Sequence, residues 1–207
     1  CAMKITEIET IALADPPAYE GGLTIVRVHT DEGLTGIGQA ESPSLVIDAI
    51  IKCEGGLEQI LVGRDPLQVE RLWQRMYALT GLFGRRGVTI AAIGAVETAL
   101  WDIAGQALGK PVCELIWRSF ATVRELPEIK PRVTPYATVY PPGDTREQVR
   151  ERFSQAVAKG FRAVKFEEWQ GGFGQGSLET DVALTGLVRE TIGHDRKLMI
   201  DVQNRWP

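Results

Sequence analysis

Apolar and polar residues alternate in three stretches near the start of the chain, as they do in half-buried β-strands. The stretches are residues 4–13, 23–30 and 34–41, and a tight turn at Asp31, Glu32 and Gly33 separates the second from the third. Because short turns join antiparallel neighbours, we predict a three-stranded antiparallel meander.

The pattern then changes to the helical period. Apolar residues recur every three or four positions from Ile90 to Ala107, and this stripe ends at Gly109 with Pro111 shortly after it. A glycine that closes a helix and a proline beyond it are typical of a helix C-terminus. We therefore predict a long helix whose apolar face is buried.

In the second half of the chain, strand-like and helix-like patterns alternate. The strand-like stretches are residues 133–140, 163–167 and 198–201, and the helical ones are residues 145–159 and 178–192. This order predicts right-handed crossovers and a parallel sheet. Since three parallel strands leave their edges unpaired, a barrel or a doubly wound sheet would need residues beyond Pro207, so we expect a chain truncated within its second domain.

The composition fits a folded protein with a sizeable core. The chain has 207 residues, 44% of them hydrophobic, and a net charge of −4. Its basic residues are dispersed, so a nucleic-acid partner is not expected. We find no apolar run of the roughly 18 to 20 residues that span a bilayer and no leader pattern, and so expect a cytoplasmic protein without a membrane partner. The three cysteines are widely spaced, which favours reduced thiols.

Charged side chains lie at the C-terminal ends of two predicted parallel strands. Lys165 and Glu167 are two positions apart and therefore point to the same side, and Asp201 ends the next strand. Neighbouring strands lie about 4.8 Å apart, so the three groups could share one site. Two interpretations stay open: an acid–base and metal site, or a strand-end ion pair with Asp201 capping a turn.

A glycine-rich stretch suggests a different function. Residues 172–177, Gly-Phe-Gly-Gln-Gly-Ser, follow a strand and precede a helix, as a dinucleotide fingerprint would in an NAD-binding doubly wound domain. The match is poor, because Ser177 replaces the third glycine. A strand-to-helix loop near the site is the simpler interpretation, and NAD binding is the weaker hypothesis.

Several stretches carry a resemblance to a known family. Residues 92–112, Ala-Ile-Gly-Ala-Val-Glu-Thr-Ala-Leu-Trp-Asp-Ile-Ala-Gly-Gln-Ala-Leu-Gly-Lys-Pro-Val, resemble the signature helix of the mandelate racemase and muconate lactonizing branch of the enolase superfamily. The opening strand at Lys4 and Ile5 resembles the same family, as do Gly-Leu-Thr-Gly-Ile-Gly-Gln-Ala-Glu over residues 33–41 and Gly-Phe-Arg-Ala-Val-Lys over residues 160–165. The resemblance covers essentially the whole chain.

The resemblance implies an α+β capping domain followed by the first strands of a modified (β/α) TIM-like barrel. The cap would span residues 3–118, a linker residues 119–132, and three barrel strands with two helices residues 133–207. It also implies that Mg²⁺ stabilises an enediolate, formed when a base removes the proton α to a carboxylate. The expected partners are a small-molecule carboxylate, with an acid sugar favoured, and further copies of the chain in a homo-oligomer.

The resemblance also implies roles for single residues. Asp201 matches the first of three carboxylate metal ligands, and Lys165 matches the first lysine of a Lys-x-Lys motif on the second barrel strand. Residues 16–22 match a mobile loop that closes over substrate, which makes Tyr19 a candidate substrate contact. The other metal ligands and any second acid/base are expected beyond Pro207.

Two positions depart from the family pattern. Glu167 stands where a second lysine, often the base, would be; Gln203 stands where an asparagine commonly follows the metal ligand by two, with Asn204 next. Gln203 and Asn204 are candidate substrate contacts, and Glu167 is a candidate catalytic residue. A carboxylate beside Lys165 favours its charged form, so we expect Lys165 to hold a substrate carboxylate or enediolate oxygen as a cation. One-base chemistry then favours an acid-sugar dehydratase, because racemisation needs a base on each face.

Other functions remain as alternatives. A racemase, epimerase or cycloisomerase of the same superfamily is one, and Glu167 as the base itself is a weaker variant of the mechanism. If these residues are the whole molecule, a catalytically inactive barrel fragment or a binding module with an exposed strand edge is expected instead.

Overall fold

The computed structural model describes residues 3–13, 22–82, 84–121, 128–140, 145–167 and 178–202. The chain divides into two units, Cys1–Ile129 and Lys130–Pro207. The elements in chain order are β1 (Ile5–Ala12), β2 (Thr24–Thr30), β3 (Thr35–Ala40), α1 (Ser44–Lys52), α2 (Leu57–Leu61), α3 (Val69–Leu79), a 3₁₀ turn (Thr80–Leu82), α4 (Val88–Leu108), α5 (Val112–Ala121), β4 (Ala137–Val139), α6 (Arg146–Ala158), β5 (Ala163–Glu167), α7 (Leu178–Ile192) and β6 (Lys197–Asp201).

The first unit contains the predicted meander. Strands β1, β2 and β3 pair antiparallel in that order, with Ile8 opposite Val28 and Val26 opposite Gly38. Ile8, Val26 and Val28 are completely buried, whereas Arg27 between the two valines is exposed. The sheet therefore turns one face toward the helices, as the alternation of apolar and polar residues predicts.

Helix α4 packs closely against β3 because glycines face it. A Cβ atom added at Gly36 would lie 1.9 Å from the carbonyl oxygen of Ala99, and one at Gly38 would lie 1.8 Å from that of Ala95. Only glycine leaves room for the helix backbone at this distance. The Gly-Ile-Gly stretch and the alanines of α4 thus form one packing unit.

Two side chains of α4 also bond to the backbone of β3. The Ile37 amide donates a hydrogen bond of 2.9 Å to Asp102 Oδ2, and Gln106 Nε2 donates one of 2.9 Å to the Thr35 carbonyl oxygen. Among the strands that the structure describes, β3 pairs with β2 alone, so these bonds satisfy polar groups on the other edge of β3.

Helix α4 passes a test of length and mean hydropathy for a membrane span, although Glu97 and Asp102 interrupt its apolar residues. Half of its most apolar window is nevertheless buried inside the protein. Its buried residues are Thr89, Ala92, Ile93, Ala95, Val96, Ala99, Leu100, Ile103 and Ala104. We therefore interpret α4 as the core helix of the first unit.

The second unit contains the predicted parallel sheet. Strands β4, β5 and β6 pair parallel in that order, and α6 and α7 are the crossovers between them. Helix α6 begins at a capping box in which the side chains of Thr145 and Gln148 bond to each other's backbone amides. The core of this unit consists of Val149, Phe153, Val164, Phe166, Leu184, Leu187, Val188 and Ile192.

Two predicted boundaries differ from the structure. Helix α5 extends to Ala121, so the first residues of the predicted linker 119–132 are helical; no glycine or proline interrupts them. Strand β4 covers only Ala137–Val139 of the predicted 133–140. Pro135 has no amide to donate, and Val133 is 80% exposed, so neither favours an extension of the strand.

Candidate functional site

Strand β5 sorts its side chains onto two faces. Val164 and Phe166 are completely buried in the core with α6 and α7. Lys165 and Glu167 alternate with them and so point away from that core. The short strand thereby presents an ammonium and a carboxylate on its other face.

The pairing of β5 with β6 adds a second carboxylate. The parallel register places Glu167 opposite Asp201, so both strands end in an acidic residue at the same edge of the sheet. Lys165 Nζ donates a hydrogen bond of 3.0 Å to Glu167 Oε1 and one of 3.1 Å to Asp201 Oδ2. The expectation that the three charged side chains lie together is confirmed. Their roles stay a prediction.

Exposure distinguishes the two carboxylates. The side chain of Glu167 is 9% exposed, that of Lys165 is 20% exposed, and that of Asp201 is 40% exposed. This difference follows the sheet order, because β5 lies between β4 and β6, whereas β6 has a neighbouring strand on one side only in the described part of the chain.

Hydrogen bonds from the ammonium to Glu167 and then to Asp201 raise the pKa of Lys165 well above its ordinary value. Burial opposes this shift, but the two bonds outweigh it. Without a bound metal ion, these two bonds keep Lys165 protonated at neutral pH. A protonated amine cannot accept a proton, so the geometry favours electrostatic binding over base catalysis by this residue.

Sequence reasoning missed one neighbour of the site. The ring centroid of Tyr136 lies 6.0 Å from Lys165 Nζ, at the outer limit of a cation–π contact. Tyr136 directly precedes β4, whose Thr138 is opposite Lys165 in the parallel register. This proximity depends on pairing between distant segments, so the local pattern around Tyr136 gave no sign of it.

The other candidates lie outside the described residues. These are Tyr19 of the predicted capping loop, the substrate-contact candidates Gln203 and Asn204, and the glycine-rich residues 172–177.

The carboxylate oxygens of the site are the type of ligand that Mg²⁺ prefers. Mg²⁺ is bound in proteins through one or two carboxylates and keeps several water ligands. Glu167 and Asp201 supply carboxylate oxygens, and a cation, the Lys165 ammonium, already lies between them. The described residues contain no group of three or more histidine, cysteine or acidic side chains that could hold a metal ion, so further ligands would have to come from elsewhere.

A family model for the N-terminal domain of mandelate racemase and muconate lactonizing enzyme matches residues 6–117, more than half of the chain. The chain belongs to this family of the enolase superfamily. The resemblance inferred from the helix of residues 92–112 is thereby confirmed.

Relatives in the enolase superfamily match nearly the whole chain. Arabinonate dehydratase of Saccharolobus solfataricus is 29% identical over 96% of this chain and 50% of its own length. D-galactarolactone cycloisomerase of Agrobacterium fabrum is 30% identical over 99% of this chain and 53% of its own length. D-galactonate dehydratase of Verminephrobacter eiseniae is 32% identical over 98% of this chain and 49% of its own length. The chain thus spans about half the length of the curated relatives it matches.

Solved structures of the superfamily share the fold. The 3,6-anhydro-D-galactonate cycloisomerase from Zobellia galactanivorans matches 99% of this chain with 52% of its own chain, at a TM-score of 0.81 and 30% identity. The expected fold class, a cap of strands and helices followed by a few parallel barrel strands, is confirmed. This agreement argues against the alternative of a doubly wound NAD-binding domain.

Proposed function

We propose that this chain supplies the cap and the first barrel strands of a Mg²⁺-dependent enzyme that dehydrates an acid sugar. The observation that carries this proposal is the Lys165 ammonium held between Glu167 and Asp201 at the ends of adjacent parallel strands. Relatives named as arabinonate and D-galactonate dehydratases support an acid sugar as the substrate class. In this reaction the proton α to the carboxylate and the β-hydroxyl group are lost together as water.

Each residue of the site has a distinct proposed role. Lys165 donates hydrogen bonds to an oxygen of the substrate carboxylate, where negative charge grows as the α proton leaves. Asp201, which matches the first carboxylate metal ligand of the family, is the proposed metal ligand on β6. Glu167 is buried and accepts a hydrogen bond from the ammonium, so its proposed role is to hold Lys165 in position. A bound Mg²⁺ would supply positive charge that lowers the energy of the developing enediolate.

The charge state of Lys165 favours dehydration over racemisation. Racemisation requires a base on each face of the substrate carbon. Lys165 donates hydrogen bonds to two carboxylates as a protonated amine, so it does not supply one of these bases. The proton acceptor in this proposal is a residue outside the described part of the chain. The proposal thus uses a single base.

A cycloisomerase is the second candidate. It is favoured by the Agrobacterium fabrum relative and by the Zobellia galactanivorans structure, which are both named as cycloisomerases of sugar-acid derivatives. The same site would serve, because ring opening or closure next to a carboxylate also develops charge on that carboxylate.

We also propose a cytoplasmic location and a homo-oligomeric state, with no nucleic-acid or membrane partner. Free exposed thiols at Cys53 and Cys113 agree with a reducing compartment.

The test is a screen of the full-length protein against acid sugars, with Mg²⁺ and with a chelator. We expect metal-dependent formation of a 2-keto-3-deoxy acid, detected with semicarbazide. Lys165→Met should lower kcat/KM at least about 100-fold, because it removes a charge that stabilises the transition state. The matched control is Lys197→Met, which removes an exposed lysine from the other end of β6 and should leave activity unchanged.

Four results would each contradict part of the proposal. If the full-length protein converts none of the acid sugars, the proposed substrate class is wrong. A product of ring opening or closure would favour the cycloisomerase. Full activity in Lys165→Met would overturn the role of the ammonium. Unchanged turnover in Glu167→Gln would exclude a catalytic or positioning role for that carboxylate.

A further inference from the structure

The edge of β3 that faces away from β2 bonds to two side chains of α4 as it would bond to a further strand. Thr35 and Ile37 flank Gly36 on β3. The Ile37 amide donates a hydrogen bond of 2.9 Å to Asp102 Oδ2. The Thr35 carbonyl oxygen accepts one of 2.9 Å from Gln106 Nε2. In a parallel ladder a single residue of the next strand makes both bonds, one with its carbonyl oxygen and one with its amide. Asp102 thus supplies the acceptor of such a residue, and Gln106 supplies its donor.

The spacing of the two side chains along α4 suits this role. Asp102 and Gln106 are four positions apart, so their Cβ atoms lie about 5 to 6 Å apart on one face of the helix. Strand residues that are two positions apart are separated by roughly 6.5 Å. The close approach of Gly36 to the Ala99 carbonyl oxygen brings the helix near enough for both side chains to reach the strand.

The opposite edge of the meander, on β1, is also bonded within the chain. The Ile5 amide donates a hydrogen bond of 2.9 Å to the Arg64 carbonyl oxygen, and the Gly63 amide donates one of 2.8 Å to the Ile5 carbonyl oxygen. The Ile8 amide donates one of 3.1 Å to Glu58 Oε1. Unpaired strand edges are the places where a further strand can add to a sheet. In the first unit, both outer strands therefore have edge groups that are already bonded.

We propose that Asp102 and Gln106 form an edge clamp, which takes the place of a fourth strand beside β3 and prevents a second copy of this chain from pairing there. Two copies of β3 present the same edge and could pair antiparallel across a twofold axis once the clamp is removed. With the clamp in place, copies of the chain in a homo-oligomer would meet through other surfaces. This inference does not depend on the proposed function, because it concerns the first unit alone.

The experiment removes both side chains of the clamp from the full-length protein, in the double variant Asp102→Ala and Gln106→Ala. Sedimentation velocity over a range of protein concentrations measures self-association. We expect species of about twice the mass of the wild-type assembly or more, increasing with concentration, because the edge groups of β3 become free to pair. Gln106→Glu is a second test, because it removes the donor with little change in side-chain size. It should cause the same association, and it keeps the test decisive if the double variant fails to fold.

Three further variants separate strand pairing from other causes of association. Asp102→Asn retains an oxygen acceptor and should sediment like the wild type. Ile8→Val removes a buried methylene group from β1 and destabilises the same unit without changing the edge of β3, so it should also sediment like the wild type. Ile37→Pro, added to the double variant, removes the amide that an incoming strand would need. Because this amide bonds to α4 and not to β2, the proline should restore wild-type sedimentation and leave the meander paired.

The outcomes either support or overturn the edge clamp. Larger species in the double variant and in Gln106→Glu that disappear with Ile37→Pro would support it. Wild-type sedimentation of every folded variant that lacks a clamp bond would overturn it. Larger species that persist with Ile37→Pro, or that form equally in Ile8→Val, would also overturn it, since the association would then not use the edge of β3. Circular dichroism would check that each variant folds.

Discussion

Replacing Gly38 with alanine should strongly destabilise the first unit. The added Cβ would lie 1.8 Å from the Ala95 carbonyl oxygen and 2.7 Å from the carbonyl carbon, so α4 would have to move by more than an ångström. Overpacking of a core typically costs about 1 to 3 kcal/mol. Because the clash here is with helix backbone, which cannot rotate away as a side chain can, we expect a loss of about 3 kcal/mol or more.

The same substitution at Gly94 is a matched control with the opposite sign. Gly94 lies inside α4. A Cβ atom added there would have no described atom of a neighbouring element within 4 Å. Alanine at an unobstructed helical position stabilises by roughly 0.5 to 1 kcal/mol, since glycine loses more backbone freedom on folding. The two variants therefore add the same methyl group, which meets helix backbone at Gly38 and open space at Gly94.

Urea denaturation of the full-length protein, followed by circular dichroism and tryptophan fluorescence, measures both effects. We expect the unfolding midpoint to fall in Gly38→Ala and to rise slightly in Gly94→Ala. A free energy of unfolding for Gly38→Ala within about 0.5 kcal/mol of the wild type would refute the close approach of α4 to β3.

Two further substitutions test the core of the second unit and an edge hydrogen bond of the first unit. Phe153→Ala should cost about 3 to 5 kcal/mol, because Phe153 is completely buried and meets Phe166 edge to face at 6.2 Å between centroids. Asp102→Ala should cost about 1 kcal/mol, because the Ile37 amide loses its acceptor but lies in a partly exposed edge that water can reach.

Both predictions have controls in the same urea assay. Arg150→Ala removes an exposed side chain from the same helix as Phe153 and should stay within about 0.5 kcal/mol of the wild type. Asp102→Asn retains an oxygen acceptor and should recover most of the loss. A small cost for Phe153→Ala, or equal losses for Asp102→Ala and Asp102→Asn, would contradict these packing and hydrogen-bond assignments.

The sequence pattern predicted the bounds of an element well where one face of that element is buried and the other is polar. The apolar residues of β5 and α7 alternate or recur with the period of their element, and the predicted ranges 163–167 and 178–192 agree with Ala163–Glu167 and Leu178–Ile192. Strand β4 was predicted too long, because the β-prone residues of the range 133–140 were given more weight than Pro135, which lacks an amide donor.

The site was predictable only in part, because its geometry depends on pairing between distant segments. The positions of Lys165, Glu167 and Asp201 at strand ends follow from the pattern, and parallel pairing brings the strand ends together. Their unequal exposure does not follow, since it depends on what surrounds each strand end in three dimensions.

The residues that establish the family and those that would decide the reaction are therefore different residues. Gly36, Gly38 and the alanines of α4 are required by the close packing of a helix on a strand, whatever reaction the protein performs. A fold can host many reactions, so these residues support family membership and leave the chemistry open. Glu167 lies on the face of β5 that packing with α6 and α7 leaves free, so its side chain is not dictated by that core. An acidic residue there changes the charge that Lys165 meets, and for that reason the proposed function takes its one-base chemistry from position 167 and not from the signature helix.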